Sequence, residues 1–274
     1  MSNIFFIKIY FSLFSFFLGA CIGSFLNVII IRWPQGESIV SPPSHCRNCK
    51  TKIPWYWNIP ILSYLLSQGK CFKCKTSFSI RYFMIEFIMG CLSCALFYKF
   101  GVSWAFLFFF VFSASLVGII FIDIEHFLIP DMLSLPLIPI GIASSFLLHT
   151  VTLYDSIIGA LLGCSLFYLL RIIFFWLRKI EAIGLGDVKL IAGIGAFFGV
   201  SGVVIIIFSS AVIGLLFALI TFIVKSKKNQ KHPEGIPQNA VPYGPSIALA
   251  AMIYMFWGPS IIKMYIQFIT GTLT

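Results

Sequence analysis

Apolar runs long enough to cross a bilayer, on the order of 20 residues each, recur from one end of this chain to the other. Residues 4–31 form the first, with Lys8 near its start and Asn27 inside it near its end. Gly19 and Gly23 lie four apart there, a spacing that permits close helix contact. Arg32-Trp33-Pro34 stops it. Residues 34–81 form the one long polar segment. Apolar runs then follow at 82–98, 104–122, 131–149, 156–177, 188–199, 203–224 and 241–268, with Pro136 and Pro139 expected to kink the fourth run. The pattern predicts an all-α polytopic membrane protein with about eight transmembrane helices. The sixth run is short and holds Gly193, Gly195 and Gly199, which predicts a tilted or re-entrant segment. No small-residue cleavage site follows the first run, so it is expected to remain as a helix.

Composition agrees. Of 274 residues 59% are hydrophobic and 10% charged, which leaves too little polar surface for a soluble domain. The net charge of +10 does not point to nucleic acid, because basic residues of membrane proteins sort to cytoplasmic loops. The polar segment carries Arg47, Lys50, Lys52, Lys70, Lys73, Lys75 and Arg81 against Glu37 alone. That puts it in the cytoplasm and the N-terminus outside. With this register fixed, Arg178, Lys179, Lys225, Lys227, Lys228 and Lys231 also fall inside. Only Lys8, Lys99 and Lys263 fall near the opposite face. The expected organisation is a first helix (1–31), a cytoplasmic loop (32–81) and a transmembrane core (82–274).

Two acids stand at the ends of apolar runs. Asp123 closes the run 104–122, and Asp187 opens the run that follows Gly184-Leu185-Gly186. An ionisable group at membrane depth is costly, which makes it a functional candidate. The topology puts both at the cytoplasmic face, so they can meet. A carboxylate pair of this kind can share one proton and activate water. The plainer reading is that each caps a helix start or snorkels to a headgroup. Glu125, His126 and Asp131 crowd Asp123 in sequence, and His126 could serve as a base. Lys189 could tune Asp187, bind a substrate acid, or only snorkel. The glycines at 184 and 186 let a peptide backbone approach closely.

Cys46-x-x-Cys49 and Cys71-x-x-Cys74 form a paired knuckle, at a separation close to that of four-thiolate zinc sites. A redox dithiol or disulfides are the alternatives, and a reducing cytoplasm argues against the latter. Zinc here would be structural, holding a loop with little core of its own. His45 is a possible substitute ligand. Cys91 and Cys94 lie inside a span, where cysteine behaves as a small apolar residue, as do Cys21 and Cys164. No Gly-x-Ser-x-Gly, Walker-type or His-Glu-x-x-His pattern is present, so serine, P-loop and zincin chemistries have no support.

These residues together resemble the bacterial prepilin peptidases, the bifunctional leader peptidase/N-methyltransferases of type IV pilus and type II secretion systems. The match includes Gly23-Ser24-Phe25-Leu26-Asn27-Val28, Arg32-Trp33-Pro34, the tetracysteine loop with Asn58-Ile59-Pro60-Ile61-Leu62-Ser63-Tyr64 and Gly69-Lys70-Cys71, and Arg81-Tyr82 with Glu86 and Gly90. It continues through the Asp123 segment to Ile129-Pro130-Asp131, then Gly184 to Leu190, and Pro242-Tyr243-Gly244-Pro245. Phe83 and Tyr243 depart from the usual proline and phenylalanine. The resemblance implies cleavage of prepilins and pseudopilins at the cytoplasmic face of the inner membrane, after the glycine that ends a basic leader. It implies N-methylation of the new terminus with S-adenosylmethionine. It also implies Asp123 and Asp187 as a catalytic pair of the Gly-x-Gly-Asp membrane aspartic proteases, and Cys46, Cys49, Cys71 and Cys74 as zinc ligands.

The methyl-transfer residues are less defined. Nothing resembles a soluble nucleotide-binding fold. The first loop is the sizeable extramembrane segment, and Glu86 and Gly90 are the cofactor-site candidates. Their plainer reading is a helix-end acid and a packing glycine. Three competing functions differ in kind: a peptidase without methyl transfer, a zinc-stapled transporter, and a thiol redox protein. The long tetracysteine loop argues against the first, because peptidase-only relatives lack it. The lack of a convincing internal repeat argues against the second. The substrate's identity and the oligomeric state are not readable.

Overall fold

The computed structural model describes residues 2–179, 183–225 and 241–270. Lys227, Lys228 and Lys231 of the expected basic loops fall outside that set. The described residues form helices α1 (Ser2–Arg32), α2 (Leu62–Leu66), α3 (Arg81–Phe100), α4 (Trp104–His126), α5 (Asp131–Ser134), α6 (Leu137–Leu148), α7 (Leu153–Arg178), α8 (Leu185–Lys225) and α9 (Gly244–Thr270). Seven stretches among them are long and apolar enough to cross a membrane. The chain is thus an all-helical, multi-pass membrane protein, as the pattern predicts. It divides into two compact units, one ending at Gly118 and one beginning at Ile119.

In the first unit α1 and α3 pack without side chains between them at two points. A Cβ on Gly23 would lie 2.7 Å from the Cα of Glu86, and one on Gly19 would lie 2.6 Å from the Cβ of Ser93. The Ser15 hydroxyl donates to the Ser93 carbonyl at 2.9 Å. A seam with no apolar driving force in lipid relies on such close backbone approach and on polar links of this kind. The polar segment connecting these helices carries short 3-10 turns at Trp33–Gln35 and Trp55–Trp57, besides α2.

In the second unit the expected kinked run 131–149 is two helices. α5 stops at Ser134, and Pro136 caps α6. Pro139 causes no kink, because it sits in the first turn of α6, where its missing N–H would have no helical partner. Thr152 caps α7, its hydroxyl accepting the Asp155 N–H at 3.1 Å.

α8 is not straight. At Gly199 the backbone leaves helical geometry, with φ 66° and ψ −169°. Its first limb runs against α7 in the opposite sense: Ile191 lies at Gly163, Gly195 at Gly159, and Gly199 at Asp155. The second limb returns. The Ser210 hydroxyl reaches the Tyr243 hydroxyl at 2.8 Å, and the Tyr243 ring stacks 6.3 Å from Phe167, far along α7. The limbs therefore form a hairpin, with the Val200 N–H donating to Asp155 Oδ1 at 3.2 Å as the returning limb starts. Counted as limbs, the seven long stretches make eight apolar segments, the number of runs read from the sequence. The first limb, residues 185–198, is about 21 Å long at about 1.5 Å per residue. That is short of the roughly 30 Å hydrocarbon core.

Candidate active site

Asp123 lies one turn inside α4, which runs on to His126, and not at its end as expected. Its residue is only 5% exposed. The backbone N–H of Gly244, at the start of α9, donates to Asp123 Oδ2 at 3.0 Å. Asp187 lies in the first turn of α8, where an acid is favoured by the helix dipole. The Gly184 N–H donates to Asp187 Oδ2 at 3.2 Å. Its other oxygen, Oδ1, is buried and has no hydrogen-bond partner among the described residues. The two carboxyl groups border one space, because Ile129 packs against both Gly186, which precedes Asp187, and Gly244, which bonds Asp123. Two crossings separate them in sequence, yet they share one unit.

Ile129 fills the space beside them. A Cβ on Gly186 would lie 2.7 Å from the Ile129 Cβ. One on Gly244 would lie 2.6 Å from Asp123 Oδ2 and 3.1 Å from the Ile129 Cδ1. Gly186 and Gly244 are therefore required by close approach. The same segment is tied to α8 from outside, where the Lys189 ammonium donates to both Asp131 oxygens at 2.7 and 2.8 Å. Asp131 stands in the first turn of α5 after Pro130, the helix-start place its sequence context suggests, while Lys189 turns to it and not to Asp187. Lys189 is engaged with Asp131, and Asp131 faces that lysine. His126 Nε2 sits 3.9 Å from Glu125 Oε2, with both side chains about one-third exposed at 35%.

The four loop cysteines converge, their Sγ atoms all within 4.8 Å of one another. Cys46 and Cys74 are 3.7 Å apart, and Cys49 and Cys71 are 3.9 Å apart. Four sulfurs about 2.3 Å from a tetrahedral zinc would be about 3.8 Å apart, so the donor set fits that ion. The knuckles are built alike. Each reads Cys-x-x-Cys-Lys-Thr, a repeat that spacing alone overlooks, and each turns on a left-handed lysine, Lys50 at φ 56° and Lys75 at φ 59°. Cys46 accepts the Lys50 N–H through its carbonyl at 2.9 Å, as Cys71 accepts that of Lys75 at 3.0 Å.

The Thr76 hydroxyl and N–H hold the Cys74 thiol down to about 5, and Thr51 lowers Cys49. The Cys49 N–H acts in the same direction on Cys46, but burial and the neighbouring thiols outweigh it and push that group up to about 11. The His45 Nδ1 lies 3.0 Å from the Pro43 carbonyl and is not part of the cluster. Cys91 and Cys94 lie along α3, also outside it.

Beside the cluster, in the same unit, is a cleft of about 990 Å³ lined by residues between Cys21 and Glu86. Glu86, 8% exposed, accepts the Ile61 N–H on Oε2 at 2.7 Å and bonds the Ser24 hydroxyl. Gly90, one turn further along α3, does not line the cleft. A Cβ there would meet the Phe16 ring at 2.7 Å. Asn27 also lines the cleft. A polar residue deep in an apolar run is the signal that marks it.

Residues 17–100 match the Bacterial Peptidase A24 N-terminal domain, and residues 107–219 match the Type IV leader peptidase family. The prepilin leader peptidase/N-methyltransferase of Neisseria gonorrhoeae is 36% identical over 234 residues, covering 77% of this chain and 82% of that protein. That of Aeromonas hydrophila is 33% identical over 282 residues, covering 94% of each. That of Stutzerimonas stutzeri is 32% identical over 278 residues, covering 92% of each. No solved structure matches. With paired carboxyls in one unit, a tetrathiolate knuckle in the other and this similarity along most of its length, the chain belongs to the prepilin leader peptidase/N-methyltransferase family.

Proposed function

We propose that this protein removes the basic leader from prepilins and pseudopilins and then methylates the exposed amine, with Asp123 and Asp187 cutting the peptide. One observation carries the cleavage chemistry. A buried acid and a half-buried one come from distant segments to border the same Ile129 side chain, and one of their oxygens, Asp187 Oδ1, has no hydrogen-bond partner among the described residues. Such an oxygen is where a water can be held.

Two neighbouring carboxyls do not both ionise readily. The ionised one takes a proton from water as it attacks the scissile carbonyl, and the protonated one donates to the carbonyl oxygen. No covalent intermediate is needed. The N–H groups of Gly244 and Gly184 hold one oxygen of each acid in place and leave the other to react. Bare backbone at Gly184 lets an extended substrate lie close, while Ile129 covers Gly186.

The division of labour follows the chain. The loop 32–81 with its flanking helices α1 and α3 serves methyl transfer, and the rest of the transmembrane core, through residue 274, cuts. The cleft's volume is in the range of small-molecule sites, about 300–1,000 Å³. S-adenosylmethionine supplies an electrophilic methyl group when bound. Arg32, Arg47, Lys50, Lys70 and Arg81 on the cleft wall suit its carboxylate. Glu86 belongs to this site directly, and Gly90 belongs through the Phe16 packing that shapes the helix seam. Cys46, Cys49, Cys71 and Cys74 would hold zinc, which would fix the fold of the loop beside the cleft. Basic loops orient both chemistries toward the cytoplasm, in the inner membrane with the N-terminus outside.

The test is co-expression of a prepilin with this chain and with its Asp187→Ala form. The wild type should convert the precursor to the faster-migrating mature form, and the variant should not. An unprocessed precursor with the wild type would overturn the assignment.

A further inference from the structure

The α1–α3 seam contains two buried acceptors that face the same cleft and are only partly used. Asn27 is 3% exposed. Its Nδ2 donates to the Tyr82 carbonyl at 3.0 Å, which fixes the amide, because the flipped amide would set oxygen against oxygen. Its Oδ1 is therefore turned away, buried, and without a partner among the described residues. Glu86 stands one turn beyond Tyr82 on α3, and Ser24 one turn before Asn27 on α1. The Ile61 N–H and the Ser24 hydroxyl use part of the Glu86 carboxylate, which offers about four lone-pair sites. The bare Cα of Gly23 brings the two helices close enough to put these acceptors in one place.

A carboxylate beside an unpaired amide oxygen is built for a compact cation with several N–H donors. Leaving the Asn27 oxygen unpaired costs free energy that such a ligand recovers. A primary ammonium has three donors. A sulfonium has none, so the methyl donor's charged centre is not what Asn27 receives. Phe25, Val28 and Ile31 line the cleft along the same helix, next to Asn27, and offer an apolar side chain a place beside the ammonium. Glu37, the other acid on the wall, is exposed.

We propose that Glu86 and Asn27 receive the new N-terminal ammonium of the cleaved pilin, with its apolar first side chain against Phe25, Val28 and Ile31, and that Glu86 takes the proton that frees the amine. The inference rests on the reading of this cleft as the methyl-transfer site. In the step, the ammonium passes one proton to the Glu86 carboxylate. The amine lone pair then forms a C–N bond to the methyl carbon, the C–S bond breaks, and its electron pair stays on sulfur. The product is a methylammonium, and the proton on Glu86 leaves to solvent.

The experiment uses the full-length protein in lipid nanodiscs. Three probes are titrated: a peptide with an N-terminal phenylalanine, the same peptide with a hydroxyl in place of its amine, and S-adenosylhomocysteine. Wild type should prefer the amine by tenfold or more. Glu86→Gln keeps an acceptor for the Ile61 N–H. It should lose the preference and slow methyl transfer by about 100-fold, the scale of a lost general base, with S-adenosylhomocysteine affinity within about threefold. Asn27→Leu should lose the preference likewise. Retained preference in Glu86→Gln would overturn the proposal. So would a parallel loss of S-adenosylhomocysteine affinity, which would assign these acceptors to the cofactor's own ammonium. Ultraviolet crosslinking of methyl-labelled S-adenosylmethionine tests the cleft separately. Label within residues 21–86 supports it, and label only elsewhere overturns the cleft reading itself.

Discussion

The Gly244 backbone N–H donates to Asp123 Oδ2 across 121 residues of sequence, so one of the two acids proposed to cut the peptide is held by the first residue of α9. The contact needs a residue without a side chain, since a Cβ would press on the oxygen it serves. This makes the carboxyl pair a product of three distant segments. It predicts that Asp123→Asn and Asp187→Asn each leave a folded, zinc-loaded protein and reduce leader cleavage by at least about 1,000-fold, the upper part of what acid–base catalysis supplies. Cleavage assays on purified variants check it. Methylation of an already cleaved pilin should persist, because that chemistry is assigned to the other unit.

Gly186 and Ile129 give a sharper test. Gly186→Ala should cut activity about tenfold or more, because its methyl would collide with the Ile129 Cβ. Ile129→Ala should restore much of that loss in the double variant. Kinetics of the single and double variants measure the coupling, and residues in contact depart from additivity by about 0.5–3 kcal/mol. Additive effects would exclude this contact as the cause.

The Lys189–Asp131 pair is short and well placed, yet exposed at 33% and 57%. Exposed pairs contribute about 0–1 kcal/mol and are screened by salt. Lys189→Met is therefore expected to change cleavage by no more than a few-fold, with the difference shrinking at high salt. A loss comparable to that of the aspartate variants would give this lysine a direct part in the chemistry.

The tetracysteine knuckle predicts one zinc per chain by elemental analysis. Cys49→Ser or a strong chelator should remove the metal and abolish methyl transfer, because the loop has little core to keep its shape. Full metal content in Cys49→Ser would contradict the four-ligand assignment.

Gly199 carries the hairpin of α8 at positive φ, with Asp155 against it. Gly199→Ala adds both backbone strain and a clash. It should destabilise the protein by about 1–3 kcal/mol, read as a lower midpoint in thermal unfolding.

Much of this was legible in sequence because membrane spans announce themselves by length and the thiolate knuckle by spacing. Asp123 and Asp187 stood out as acids in oil. What was hidden depended on contacts between remote segments. Nothing local says that Lys189 turns to Asp131, or that Gly244 reaches Asp123. Pro136 was read as a kink when it is a helix start, since a proline suits either and neighbouring residues decide. Asn27 was noted only as a position, because its unpaired oxygen exists only once α3 lies against α1.

The bare backbone contact at Gly23 and Glu86 places the departure and return of the zinc-binding segment side by side. A stretch whose two ends are already stapled together behaves as a cassette. Cutting it out and closing the gap with a short turn requires no rearrangement of the helices below, and the entropic cost of closure changes only slowly with the number of residues inserted. The zinc-binding segment can thus be lost or lengthened as a unit while α1 and α3 keep their contact.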